Sequence, residues 1–376
     1  MSRTRTYLDC NATAPLRREA RAAMVAALDV GGNPSSPHAE GRRARGVIED
    51  AREQVAALVG ARPAEVVFTS GGTEANNAVL AAGWRAILLS GIEHDSVLAP
   101  ARGSGAQLLE IPVGSDGVVR HDGLAGRMAQ LGKVRALVSL QLANNETGAL
   151  QPVAEAAALA REHGLAVHSD AVQAAGRVPI DMRALGVDYL TLSAHKLGGP
   201  KGVGALVVRD GASLPAFIAG GGQERRRRAG TENVAAIAGF GAAAEAAQQD
   251  LAQIEKVRAL RDRLEAEVRE ITPEAVVIAA EADRLPNTTN LALPGASAET
   301  LVIALDLKGI AVSAGAACSS GKVGASHVLA AMGLAPDVAR AAIRISLGPG
   351  SVERDIAAFL AAWDEIATGR RDRAVA

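Results

Sequence analysis

The sequence contains little of several residue types, and each shortage excludes a class of protein. Two cysteines among 376 residues cannot build a disulfide scaffold, which indicates a reducing compartment. Aromatic residues make up only 2% of the chain, so the core must consist of aliphatic side chains. No stretch approaches the roughly 18 consecutive apolar residues of a membrane helix. The first residues carry charge with no apolar run behind them, unlike a signal peptide. We therefore expect a cytoplasmic protein that does not bind membranes.

The charges are nearly balanced, with 40 Lys and Arg residues against 41 Asp and Glu residues. Dedicated nucleic-acid or membrane-surface proteins usually carry net positive charge, so direct nucleic-acid binding is not expected. The arginine run Arg225–Arg228 stands out, but such runs more often form solvated or ion-paired surfaces than RNA-binding patches. Only six residues are lysine, so chemistry that needs a lysine amine has few candidates.

Apolar runs and helical periodicity alternate through the first two thirds of the chain, and hydrophobic residues make up 48% of it. Strands are predicted at 65–69, 86–89, 108–113, 134–140, 165–169, 188–193 and 202–208. Strands separated by helices predict an α/β fold with a mostly parallel, doubly wound sheet.

The pattern changes near residue 250. A long amphipathic helix is predicted over 249–269, followed by strands at 275–279, 289–293 and 342–347 and by helices at 298–307 and from 353. This predicts a smaller α+β module. We expect a large domain of residues 12–250 and a small domain of residues 251–376 together with residues 1–11.

Three segments in the predicted large domain carry groups that could together bind one cofactor. The turn at 70–73 links a strand to a helix start, which is either a phosphate-binding turn or an ordinary capped helix. Asp170 ends a predicted strand, where doubly wound sheets bind ligands, although an isolated Asp there often caps a turn. Lys196 also follows an apolar strand, and a desolvated lysine amine captures carbonyl groups. Pyridoxal phosphate needs such a phosphate site, a carboxylate for its ring nitrogen and a Schiff-base lysine.

These segments and others along the chain resemble those of a known family, the cysteine desulfurases of the class V aminotransferase group. The resemblance is to the branch named for nitrogen fixation and housekeeping iron–sulfur assembly. The matching segments follow the family order along almost the whole chain, at 7–15, 32–36, 68–74, 93–94, 143–148, 168–173, 193–204, 220–225, 229–233, 313–318 and 343–348. The family has the type I fold of pyridoxal-phosphate-dependent transferases, so the resemblance implies this α/β fold and this cofactor.

The resemblance also implies how the cofactor is bound. Lys196 would bind it covalently and then remove the Cα proton of the substrate. Asp170 would pair with the ring nitrogen and Gln173 with the ring oxygen. His94 would stack on the ring and assist proton transfer. The phosphate would be bound by a set of polar groups comprising Gly72, Thr73, Ser193 and His195.

The remaining implied roles concern the substrate and the partner subunit. Asn145 would contact the cofactor and the substrate carboxylate, and Arg344 would clamp that carboxylate with its guanidinium group. Thr231 would reach the phosphate of the neighbouring subunit, which implies a homodimer with shared sites. No metal site is expected.

Cys318 is the implied nucleophile. It lies among Gly, Ala and Ser residues, which favours an exposed and reactive thiol over a buried one. It would take the sulfur of L-cysteine as a persulfide, leaving L-alanine, and pass it to an acceptor for iron–sulfur assembly or tRNA thiolation. Cys10 is expected to be structural. The alternatives are a selenocysteine lyase or another enzyme of the same group, for which Cys318 has no use, and a sulfur-relay scaffold without turnover.

Overall fold

The computed structural model describes residues 5–132, 134–315 and 326–375. The strands in these residues are β1 (Thr6–Tyr7), β2 (Val66–Thr69), β3 (Ala86–Ser90), β4 (Gln107–Ile111), β5 (Ala136–Ser139), β6 (Ala166–Asp170), β7 (Tyr189–Ser193), β8 (Gly204–Val208), β9 (Val276–Val277), β10 (Thr288–Ala292), β11 (Ile310–Ala311), β12 (Ser313–Ala314) and β13 (Ala342–Ser346).

The helices of the described residues separate most of these strands. They are α1 (Arg18–Leu28), α2 (Ala39–Leu58), α3 (Gly72–Leu80), α4 (Asp95–Gly103), α5 (His121–Ala129), α6 (Val153–Glu162), α7 (Met182–Leu185), α8 (Val234–Asp250), α9 (Ile254–Ile271), α10 (Ala298–Leu307), α11 (His327–Ala331), α12 (Pro336–Arg340) and α13 (Glu353–Val375). Within the described part of the chain, no helix combines the length and the apolar character needed to cross a membrane.

Strands β2 to β8 form one sheet in the order β2-β8-β7-β6-β5-β3-β4. Every neighbouring pair from β7 to β4 is parallel, whereas β8 is antiparallel to both β7 and β2. The predicted α/β class with a mostly parallel sheet is confirmed. Because β8 reverses direction between them, β2 and β7 point the same way. The carboxyl ends of β2, β3, β5, β6 and β7 therefore lie along one edge of the sheet.

Helices cover both faces of this sheet, and the side chains of its strands alternate between them. Leu88 and Val138 pack into the cluster that includes residues of α2, α6 and α8. Their neighbours Ile87 and Leu137 pack into the cluster that includes residues of α3 and α4. Apart from the largely exposed edge strand β4, the strands of this sheet are thus buried on both faces, which leaves the strand ends for a binding site.

The later part of the chain builds a second core. Strands β9, β10, β12 and β13 form an antiparallel sheet in the order β12-β13-β10-β9, and β1 pairs in parallel with β11. Helices α9, α10 and α13 cover it around Leu291, Ile343 and the stacked rings of Phe359 and Trp363, whose centroids are 5.9 Å apart. The division into domains of residues 12–250 and 251–376 with 1–11 stays a prediction.

The long helix predicted over 249–269 is wrong at its start. Helix α8 ends at Asp250, a single 3-10 turn follows at Leu251–Gln253, and α9 begins at Ile254. The two helices pack into different cores. Because no Gly or Pro lies at the junction between α8 and α9, the helical pattern of the sequence continues through it. Helix α8 itself lacks a sequence signal, because it is apolar on nearly all sides.

Candidate active site

A cavity of about 540 Å³ lies at the edge of the large sheet where the parallel strands end. Asp170 ends β6, Ser193 ends β7, and His94 follows β3 within a short turn. Arg344 on β13 and Asn11 close the cavity from the side of the second core. Open α/β sheets bind ligands at the carboxyl ends of their strands, and the volume suits a cofactor-sized molecule.

The structure brings most of the predicted site residues together around this cavity. The lining includes Gly72, Thr73, His94, Asn145, Asp170, Gln173, Ser193, His195, Lys196 and Arg344. Thr231 is exposed and does not line the cavity of its own chain. Cys318, the predicted nucleophile, lies outside the described residues.

Lys196 reaches the cavity from a 3-10 turn, Ala194–Lys196, that directly follows β7. Its Nζ donates hydrogen bonds to the carbonyl oxygens of Asn11 at 2.5 Å and Ala12 at 3.0 Å. The amine is therefore held at the cavity wall by the N-terminal segment. Asn11 was not predicted as a site residue, although it lies within the quoted motif at 7–15.

The Asp170 carboxylate is buried, and two N–H groups fix its orientation. Asn76 Nδ2 donates to Oδ2 at 2.7 Å, and the backbone N–H of Val172 donates to Oδ1 at 2.9 Å. Asn76 Nδ2 also donates to Ser96 Oγ at 2.8 Å. Asn76 was not predicted as a site residue, although its spacing from Gly72 indicates that it faces the cavity. It follows Gly72 by four residues on the same helix, so both face the cavity.

His94 caps the N-terminus of α4, where its Nδ1 accepts a hydrogen bond from the backbone N–H of Ser96 at 3.0 Å. Burial lowers the pKa of the ring, an effect that the nearby Asp170 carboxylate opposes and the Lys196 amine adds to. The imidazole is therefore neutral at neutral pH. Because Nδ1 accepts a hydrogen bond, its proton is on Nε2.

The N-terminus of α3 forms the end of the cavity suited to a phosphate. The first amides of a helix have no carbonyl partners within it, and the helix dipole favours an anion there. A Cβ on Gly72 would lie 2.9 Å from Val172 Cγ2, so only glycine lets the backbone approach this closely. Ser193 and Thr73 add hydroxyl groups. Burial, followed by the charge of Lys196, lowers the pKa of His195 to about 4 and keeps it neutral.

Arg344 is a buried cation with donors available to a ligand. Its Nη2 donates to Asp9 Oδ1 at 2.8 Å and its Nη1 to the carbonyl of Asn145 at 3.1 Å. Its buried Nε has no hydrogen-bond partner among the described residues. Asp9 also accepts from Ser313 Oγ at 2.9 Å, so one carboxylate orients the guanidinium group and the strand beside it. Such a group suits the carboxylate of an amino acid.

The run Arg225–Arg228 follows an anchored turn. Glu224 has a left-handed backbone with φ of 43°, and its buried carboxylate accepts from both Nη atoms of Arg52 at 2.8 and 2.9 Å. Arg228 pairs with Glu74 at 3.0 Å beside the cavity. Arg225 donates to the carbonyl of Val66 at 3.3 Å. At least two of the four arginines thus bind groups of their own chain.

Cys10 is buried, and burial raises the pKa of its thiol to about 11. The thiol is therefore protonated at neutral pH and is a poor nucleophile. This agrees with a structural role for Cys10.

Comparison with known proteins identifies the family of this chain. The model of the aminotransferase class-V family matches residues 6–359, and the chain belongs to that family. Within the family it groups with the cysteine desulfurases. It is 45% identical to a cysteine desulfurase of Cereibacter sphaeroides, over 94% of this chain and 93% of the relative. It is 41% identical to the cysteine desulfurase IscS of Dictyoglomus turgidum, over 93% and 91%.

A solved structure supports the same assignment. The NifS-like protein of Rickettsia africae superposes with a TM-score of 0.90 at 37% identity, covering 96% of this chain and 99% of that one.

Proposed function

We propose that this protein is a pyridoxal-phosphate-dependent cysteine desulfurase, which converts L-cysteine to L-alanine and takes the sulfur onto Cys318. One observation carries the proposal. A single cavity brings together the Lys196 amine, the Asp170 carboxylate and the Arg344 guanidinium group beside the N-terminus of α3. No one of these groups is specific, but their combination matches the needs of an amino acid bound to this cofactor.

The residues present fit the cofactor at each of its functional groups. The amides of α3, with Thr73, Ser193 and His195, would hold the phosphate, and Asp170 would keep the ring nitrogen protonated. When bound, pyridoxal phosphate withdraws electrons from the amino acid, which makes its Cα proton acidic and its Cβ–S bond breakable.

The protein's own groups then bind the substrate and move its protons. Arg344 would bind the carboxylate of L-cysteine, with Asn145 beside it. Lys196, the covalent attachment point, would act as a base at Cα once its amine is released. His94, neutral with its proton on Nε2, would assist proton transfer over the ring.

The sulfur step uses the thiolate of Cys318. It attacks the sulfur atom of the substrate, so an S–S bond forms and the Cβ–S bond breaks. The electron pair of the broken bond stays on the carbon side, where protonation gives the methyl group of alanine. The result is a persulfide on Cys318 and no net oxidation of the protein and substrate together.

The assembly and location of the enzyme are proposed from the family resemblance. The exposed Thr231 would contribute to the phosphate site of a second copy, so we propose a homodimer with shared sites. The persulfide sulfur would pass to an acceptor protein for iron–sulfur assembly or tRNA thiolation in the cytoplasm.

A visible spectrum of the purified protein tests the proposal. We expect an absorption band from the Lys196-bound cofactor that changes on adding L-cysteine, with alanine formed in step. Lys196→Ala should lose the band, whereas the matched control Lys256→Ala, in α9, should keep it. No band after adding pyridoxal phosphate would contradict the proposal. Full alanine formation in Cys318→Ser would contradict the role of Cys318 and favour another lyase of the family.

A further inference from the structure

Arg177 is a buried cation that pairs with no carboxylate of the described residues, and it contacts two residues of the proposed site. Its Nη1 donates to the Gln173 carbonyl at 2.8 Å and also to the side-chain oxygen Oε1 of Gln173. Its Nη2 lies 3.4 Å from the carbonyl oxygen of Cys10 and 3.5 Å from that of Lys196. All of these partners are neutral oxygen atoms.

Burying such a charge is costly when no counter-charge is present. Arg177 is 8% exposed, and burial lowers its pKa to about 10. None of the described carboxylates forms an ion pair with it. The acidic group beside it is the Cys10 thiol, whose pKa of about 11 keeps it uncharged at neutral pH, and Arg344 adds a second positive charge nearby. A neutral side chain would avoid this free-energy cost, so we expect the charge of Arg177 to have a functional role.

The contacts of Arg177 also fix which way the Gln173 amide points. A guanidinium group can only donate, so it must face Oε1, while Gln173 Nε2 donates to the carbonyl of Asn11 at 3.1 Å. Neither contact survives a flip of the amide. Gln173 lines the cavity, whereas Arg177 lies behind it and does not. The amide therefore keeps an N–H donor on the cavity side, polarised by the charge behind it.

We propose that Arg177 is a positioning residue whose counter-charge is the ring oxygen of pyridoxal phosphate, reached through Gln173. This inference rests on the proposed function. The positive charge, transmitted through the amide, favours the ionised ring oxygen over its protonated form. Arg177 also contacts the backbone carbonyl of Lys196, the covalent attachment point of the cofactor, so it links the position of Gln173 to that of Lys196.

Binding of two ligands to the full-length, cofactor-free protein tests the proposal. The ligands are pyridoxal phosphate and an analogue in which hydrogen replaces the ring hydroxyl. We expect Arg177→Met to weaken the binding of pyridoxal phosphate about tenfold more than that of the analogue. The ratio of the two dissociation constants within one variant does not depend on how much protein has folded. Arg177→Lys, which keeps the charge, should restore most of the ratio.

A spectroscopic titration of the reloaded enzymes gives a second readout. Removing a positive charge makes the ionised ring oxygen easier to protonate. The pH midpoint of the visible band should therefore rise by about one unit in Arg177→Met. Arg17→Met is the matched control. Arg17 and Arg177 both line a neighbouring cavity of about 400 Å³, but Arg17 bonds the Leu197 carbonyl and Asp250 instead of Gln173.

The outcomes separate this inference from the proposed function. A wild-type protein that binds neither ligand overturns both. The inference alone is overturned if the wild type binds pyridoxal phosphate but Arg177→Met loses equal affinity for the two ligands and keeps the pH midpoint of the visible band. Arg177 would then be a structural residue.

Discussion

Glu93 gives a sharp test of how burial sets the charge of a carboxyl group beside the site. Its side chain is fully buried, and it accepts hydrogen bonds from Ser90 Oγ at 2.7 Å and from the backbone N–H of Gln141 at 3.0 Å. Burial raises its pKa from 4.5 to about 8, and the nearby Asp170 carboxylate adds to the rise. The folded protein thus holds Glu93 protonated at neutral pH.

The sign of the pH effect follows from this difference. Between pH 4.5 and about 8 the folded state binds one more proton at Glu93 than the unfolded state. The stability that protonated Glu93 contributes is complete below pH 4.5, the pKa in the unfolded state. It is lost as pH rises towards the folded-state pKa, by about 1.4 kcal/mol per pH unit. Glu93→Gln has nearly the same shape and never ionises. Its Oε1 can accept from Gln141, and its Nε2 can donate to Ser90 Oγ.

The expected result is a pH-dependent difference between variant and wild type. From about pH 5.5 to about pH 7.5, the free energy of unfolding of Glu93→Gln should rise relative to wild type by about 2 to 3 kcal/mol. Urea unfolding at both pH values, with saturating pyridoxal phosphate, measures it. Glu155→Gln, exposed on α6, is the control and should show no such rise. A difference that is constant with pH would refute the reasoning, because Glu93 would then be ionised in the folded protein.

Two further predictions concern the Glu224 anchor and the carboxylate clamp. Glu224→Gln removes the buried ionic partner of Arg52 and leaves it the partly exposed Glu49, so it should lower the free energy of unfolding by about 2 to 3 kcal/mol; urea unfolding measures this, and a loss as small as that of the exposed control Glu353→Gln would contradict it. Arg344→Lys cannot make the same forked contact, so KM for L-cysteine should rise about tenfold or more. Its affinity for pyridoxal phosphate should change little, and an unchanged KM in steady-state assays of alanine would count against the clamp.

The sequence predicts those parts of the site that depend on local pattern. Asp170 and Ser193 end apolar strands, and parallel strands bring such ends to one edge. That reasoning needs no knowledge of distant contacts. The fold class follows from the same alternation of strands and helices.

Contacts between distant segments are beyond such reasoning. Asp9 orients Arg344 across 335 residues of sequence separation, and no periodicity relates the two. Arg177 looks like a surface arginine in the sequence, because its burial depends on how the segment around Asn11 folds over it. Helix α8 was missed because a helix apolar on nearly all sides has no stripe to detect.

The central claim is that sulfur passes from L-cysteine to Cys318. Mass spectrometry of the protein after one exposure to L-cysteine tests it most directly, with Cys10→Ser and Cys318→Ser run in parallel. The account predicts that the peptide containing Cys318 gains the mass of one sulfur atom in the wild type and in Cys10→Ser, with alanine formed in equal amount. Alanine formed at full rate in Cys318→Ser, or added sulfur on Cys10 instead, would contradict it.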